Sequence, residues 1–356
     1  MLNRIFCFGI AVGRSYRSRV RVCAALALLL LATLARAAQP PTEPPPDLRG
    51  SEIQVFIEND SFGRADQYYT NGIKIGGGVE ASKVGALLAL PPITVLGVIT
   101  EGAANHLGLF VGQNLYTPRD ITVSAPQPLD RPWAAWLYLG AVAQSVKEDR
   151  LHTVEIDLGM VGPPALGRQM QTFWHSDVVD APEPKGWANQ IRSEPGFLVS
   201  YLHKRRFGNR SGVQLVLHTG ASIGTIMTFA RAGGVVRLGQ NMTGFGPDGI
   251  EPGGAMLKNA RQQYEGGARD PYEWFIFAGL DARLVGHNIF LDGSLFRDGP
   301  SVSRRPDVYD LLAGVSARID KFRLSITRVR RSSEFSTPRG GGGRQHFHSI
   351  NIGVEF

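Results

Sequence analysis

From Ser51 onward the chain alternates apolar and polar residues with period two. In Ser51-Glu52-Ile53-Gln54-Val55-Phe56-Ile57-Glu58, one face carries Ile53, Val55 and Ile57, and the other Glu52, Gln54, Phe56 and Glu58. Similar stretches recur at 70–80, 106–116, 133–144, 151–160, 196–206, 212–223, 229–239, 272–284, 287–297, 308–319, 321–331 and 346–356. Tight polar turns such as Gly208-Asn209 and Asp320-Lys321 join several of them. No long helical period follows residue 40. Segment 84–99 is the exception, being apolar all round and broken by Pro91-Pro92. The final strand sets Ile350, Ile352, Val354 and the terminal Phe356 against Ser349, Asn351, Gly353 and Glu355. A last strand of that kind suits an antiparallel transmembrane β-barrel with lipid outside and water inside. A barrel needs an even strand number, so the thirteen stretches predict twelve real strands and one misreading. Long loops at 59–69, 117–132, 161–195, 240–271 and 332–345 are where function is expected.

The start of the chain changes how charge is read. Arg4, Arg14, Arg17, Arg19 and Arg21 precede the apolar run Cys23 to Leu31, and Ala35-Arg36-Ala37 supplies a small-x-small site. This is the pattern of a secretory signal peptide over 1–37. A Pro-rich leader (38–50) and the barrel domain (51–356) follow. The whole chain carries 38 Lys+Arg and 31 Asp+Glu, a formal charge of +7. Removing six signal arginines leaves 32 against 31, so the basicity implies no nucleic-acid partner. Both cysteines, Cys7 and Cys23, fall in the signal, which excludes disulfides and cysteine-held zinc in the mature chain. The 43 glycines and 22 prolines agree with many short elements separated by turns.

Three clusters carry candidate chemistry. Glu58-Asn59-Asp60 and Tyr68-Tyr69-Thr70-Asn71-Gly72 meet across a hairpin, where carboxylate, amide and hydroxyl oxygens make a hard-oxygen set suited to Ca²⁺. An ordinary Asn-Asp turn reads the same way. Gln113-Asn114-Leu115-Tyr116-Thr117-Pro118-Arg119-Asp120 and Asp130-Arg131-Pro132-Trp133 offer two arginines, Arg119 and Arg131, for a phosphorylated headgroup or for an Asp-held loop. The third runs from Gly162-Pro163-Pro164-Ala165-Leu166-Gly167 through Trp174-His175 to Lys185-Gly186-Trp187. It places His175 in a long loop between two tryptophans. His203 and His218, inside strand patterns, read as lumen-facing, and His346 and His348 as solvated. No G-x-S-x-G, P-loop or H-E-x-x-H is present.

In their order along the chain, END…YYTNG (58–72), GQNLYTP (112–118), DRPWAAWLYLG (130–140), GMVGPPALGRQMQ…H (159–175) and KGWANQI (185–191) resemble the outer-membrane lipid A 3′-O-deacylase family. The resemblance implies a twelve-stranded outer-membrane barrel with its site at the outer-leaflet side of the wall. It also implies a Ca²⁺-dependent esterase that removes the 3′ acyloxyacyl group of lipid A. The family's catalytic residues fall on Asn59, Asp60, Thr70 and His175. Its metal ligands fall on Asp60 and on an acid after the histidine, for which Asp180 and Glu183 both stand. Basic residues of the family's second loop meet lipid A phosphates, for which Arg119 is the nearest candidate here, and Arg131 and Lys185 stand with it as expected substrate contacts. Lipid A in the outer leaflet is the implied partner, and a monomer is expected. Two other readings stay open: an outer-membrane phospholipase with a Ser-His-Asn site, and a barrel without catalysis, such as a pore.

Overall fold

Along the first strand the burial alternates as its sequence does. Glu52, Gln54, Phe56 and Glu58 are buried, while Ile53, Val55 and Ile57 are exposed or half-exposed. In a water-soluble protein the apolar face would be the hidden one. Here it looks outward, as a wall in contact with lipid requires. The structure, a computed structural model, describes residues 51–60, 67–81, 106–247, 270–338 and 342–356. The expected signal peptide, the Pro-rich leader and segment 84–99 lie outside these residues.

The strands are β1 (Glu52–Asn59), β2 (Tyr68–Glu80), β3 (His106–Thr117), β4 (Ala134–Lys147), β5 (Arg150–Val161), β6 (Glu194–Phe207), β7 (Gly212–Gly224), β8 (Met227–Gln240), β9 (Tyr272–Asn288), β10 (Ser303–Arg304), β11 (Asp307–Ile319), β12 (Phe322–Arg331), β13 (Phe335–Ser336) and β14 (Gln345–Glu355). Twelve of them close into one antiparallel barrel in the order β1-β14-β12-β11-β9-β8-β7-β6-β5-β4-β3-β2, and β10 and β13 pair separately. The C-terminal strand seals the barrel against β1, from Glu52 opposite Glu355 to Asn59 opposite His348. No helix of the described residues is long and apolar enough to cross a membrane. The wall crosses with strands, and Leu109, Leu139, Leu158, Ile223, Leu284 and Ile319 form part of its exposed apolar surface.

The misread stretch is 287–297. Strand β9 ends at Asn288 and a short helix, α2 (Ile289–Asp292), takes over. The Asn288 side chain accepts from the Phe290 amide, and Asp292 accepts from the Asn288 amide. These local bonds stop the ladder that the alternation alone predicts to continue. His218 does face the lumen, beside Asp281. His203 does not: it lies on the outer face, opposite His152, with the two rings tilted at 34° and their centroids 4.5 Å apart. The long connection after β8 leaves from the rim that holds the chain's last residue, as does the connection between β2 and β3.

The lumen is filled. Lys74 pairs with Glu155 at 3.0 Å. Asp281 is held by His218 and Arg231, and Asp310 by Arg283 and Arg331, each of the two arginines at 2.7 Å. From one end, residues 241–247 turn into the barrel. There Lys204, Arg206 and Arg237 donate to the carbonyls of Phe245, Gly244 and Gly246. A cavity of ≈ 30 Å³ remains between Gln54, Phe56 and Pro247. At the other end Phe290 stacks on Tyr116 at 4.1 Å, and Tyr68 meets Phe335 edge-on.

Candidate active site on the outer wall

Four consecutive strands place one row of residues on the outer face near the rim. The register sets Asn59 opposite Asn71, Asn71 opposite Leu115, and Leu115 opposite Ala135. Outward residues lower on the same strands are open, Leu109 at 71% and Leu139 at 66%. The row itself is closed, at 2%, 3%, 0% and 0%. Something other than lipid therefore covers it.

Over β3 and β4 that cover is the segment between β5 and β6. Gly162 donates to the Ala135 carbonyl and Ile191 to the Trp133 carbonyl, so both ends of the segment are tied to the wall. Between them, Gln113 on the outer face donates to the Ala165 carbonyl at 2.6 Å. Leu115, Ile121, Trp133, Ala135, Ala165 and Trp187 pack as one apolar cluster. Helix α1 (Gly167–Phe173) lies against β3 and β4. Its first residue must be glycine: a Cβ there would sit 2.6 Å from that of Ala135 and 2.5 Å from the Trp187 ring. Lys185 and Asn189 bond to the Ile121 and Ser124 carbonyls, which joins the cover to the loop after β3.

His175 follows α1 in a wide π-type turn, Trp174–Val179, a geometry recurrent at functional sites. Asp180 closes the turn in the left-handed region at φ 52. The side chain of His175 is buried, and its Nδ1 lies 2.6 Å from the Pro182 carbonyl oxygen. A carbonyl only accepts, so Nδ1 carries the proton, and in the neutral ring the basic lone pair belongs to Nε2.

At the other end of the row, the ladder between β2 and β3 slips by one residue, leaving Thr70 as a bulge between Tyr69 and Asn71. Bulges re-aim side chains. Here the Thr70 hydroxyl donates to Asp60 Oδ1 at 3.2 Å, and the Gln67 amide donates to Oδ2 at 2.6 Å. Asn59, Asp60 and Thr70, which the sequence brings together, are together and buried. Asn71, beside them in the row, was not singled out from sequence. Its amide oxygen and nitrogen have no partner among the described residues. The motif YTNG was the only signal available.

The expected phosphate contacts separate. Arg119 is exposed, 3.3 Å from the Tyr68 hydroxyl to which it donates, and Asp130 accepts from its backbone. Lys185 is exposed on the cover. Arg131 points inward: it is fully buried, pairs with Glu334 at 3.2 Å and lies over the Tyr116 ring. A headgroup at the surface does not meet it. Asp180 and Glu183 are both exposed on the cover, and no group of three or more His, Cys, Asp or Glu is set around a common point among the described residues.

A search of curated proteins found no match. The family model of outer membrane protein LpxR matches residues 22–356. The chain belongs to the LpxR family. Among solved structures, the barrel resembles LpxR from Salmonella typhimurium with a TM-score of 0.69 at 19% identity, over 86% of this chain and all of that one. The β domain of the Bordetella autotransporter Brka follows at 0.39 and 10% identity, over 87% of this chain and 99% of that one. The LpxR family and the closed twelve-stranded barrel place this chain in the bacterial outer membrane.

Proposed function

We propose that this LpxR-family barrel is a lipid A 3′-O-deacylase that works at its outer wall. The observation that carries the reading is the closed outer-face row. Asn59, with Asp60 and Thr70 beside it, stands at one end, and the cover bearing His175 is seated on the other. A residue set of that kind on the lipid-facing side meets a substrate that stays anchored by its chains. The filled lumen speaks against conduction.

Water attacks the ester carbonyl while His175 Nε2 takes its proton. The Pro182 carbonyl, receiving Nδ1–H, steadies the imidazolium that results. The carbon–oxygen bond to the sugar then breaks, and His175 returns the proton to the departing oxygen. The cover excludes bulk water from the β3 and β4 end of the row, which strengthens each polar contact there. The oxygens of Asn59, Asp60 and Thr70 fit a hard cation in kind, with Asp60 the carboxylate among them. Asn59, Asp60 and Thr70 would hold a Ca²⁺, which when bound would supply positive charge for the developing oxyanion. Thr70 and the Gln67 amide keep Asp60 in place.

The test is mass spectrometry of lipid A from membranes expressing the chain, with Ca²⁺ and with chelator. Loss of one acyloxyacyl group, abolished by chelator and by His175→Ala, is expected. Unchanged lipid A beside a folded barrel overturns the reading. Chains lost from phospholipids instead would assign a phospholipase.

A further inference from the structure

The outer face on the far side of Asn59 changes character at one height. Outward residues of β12 run Leu324, Ile326, Arg328, Arg330, and those of β14 run Ile352, Ile350, His348, His346. The register pairs Ile326 with Ile350, Arg328 with His348 and Arg330 with His346, so both strands pass from apolar to basic together. This is where the apolar band of a membrane barrel ends and lipid headgroups begin. Both arginines are exposed, and on β11 they face Ala313 and Leu311. Neither has a carboxylate partner among the described residues. The lumen treats its arginines differently, since Arg283, Arg323 and Arg331 are all ion-paired. Guanidinium groups left unpaired on a lipid-facing wall select for an anion, and their fork matches phosphate in a bidentate fashion.

The position of this patch gives it a role. His348 is directly opposite Asn59, so Arg328, His348, Asn59, Asn71, Leu115 and Ala135 form one row across six strands. At roughly 4.8 Å per strand, the Arg328 and Asn59 backbones stand about 10 Å apart. A phosphate gripped at Arg328 would lie within one sugar of Asn59.

We propose that Arg328 and Arg330, flanked by His346 and His348, bind a phosphate of the substrate headgroup and set its ester over Asn59 and Asn71. This rests on the deacylase reading. The same chemistry is offered by a phospholipid headgroup, so the experiment separates the two sources.

Full-length barrel in detergent micelles is given bis-phosphorylated lipid A or the same lipid stripped of phosphate by a phosphatase. Wild type is expected to prefer the phosphorylated form by about tenfold or more in kcat/KM, one bidentate ion pair's worth. R328Q/R330Q is expected to lose that preference, chiefly through a raised KM, and R328K/R330K to recover part of it. An unchanged KM in the folded Gln variant overturns the proposal. Equal competition by phosphatidylglycerol micelles overturns the assignment to lipid A. If wild type cleaves neither lipid, the deacylase reading fails by itself, and native mass spectrometry of bound lipid A decides the patch. Loss of the adduct in R328Q/R330Q supports it, and equal retention overturns it.

Discussion

The carboxylate of Asp60 is fixed by donors from the far side of its own hairpin, one a backbone amide and one the hydroxyl of a bulged threonine. A hydrogen bond to a charged group contributes about 1.5–3 kcal/mol. Thr70→Val, which keeps the branched shape, is therefore expected to slow lipid A cleavage by roughly ten- to a hundredfold in a barrel that still folds. Time courses of released acyl chain, beside a heat-modifiable gel shift, check both halves. This trio was legible because hairpin ends are neighbours by construction. Arg131 was not: its partner Glu334 lies 203 positions along the chain, and nothing local to DRPW reports an inward turn. Asp180 and Glu183 stayed undecided for a related reason. The π-type turn after α1 redirects every side chain behind His175, and no periodicity announces such a turn.

At the level of elements, alternation identified all twelve barrel strands, because each has one lipid face and one lumen face. It failed at 287–297, where an asparagine cap intervenes, and at His203, which shares the outer face with His152. Helix α2 carries its own pH response. Burial pulls the Asp292 carboxyl up, but His287, the Asn288 amide and Arg304 outweigh it and hold it below the usual carboxylate range. A depressed folded value adds stability above the unfolded one and loses it as pH falls through the folded one. The expected outcome is that protection of the 289–292 amides, taken relative to intrinsic exchange at each pH, falls at acid pH in wild type. Asp292→Asn should show the lower protection already at neutral pH. The cover makes a steric prediction of its own. Gly167→Val should lift α1 off Ala135 and Trp187, reducing cleavage at least tenfold while leaving the barrel closed. Tryptophan fluorescence and the acyl-release assay read the two effects.

For the whole molecule, the buried ion pairs across the lumen have to stay matched, because a charge left there alone is costly. Asp310 receives Arg283 and Arg331 at 2.7 Å each, so Asp310→Ala leaves these buried guanidinium groups their longer pairs, to Asp281 at 3.6 Å and Glu334 at 3.8 Å. Removing one partner of a buried pair typically costs about 3–5 kcal/mol. A clear fall in the urea midpoint for unfolding from lipid vesicles is expected, with no change in lipid A specificity. With 241–247 inserted at one end and Phe290, Tyr116, Tyr68 and Phe335 packed at the other, planar bilayers containing the barrel should stay electrically silent.

The buried row on the lipid-facing wall has one more consequence. On the proposed deacylase reading, a lipid would reach Asn59 by sliding within its own leaflet, so encounters would happen in two dimensions. The concentration that sets the rate is then the mole fraction of substrate in the surface, whatever the amount in the flask. Adding inert detergent at constant enzyme and lipid A should slow the reaction by surface dilution. Crowding lipid A into a tightly packed leaflet, bridged by divalent ions, should slow it by restricting lateral supply, with the catalytic residues themselves untouched.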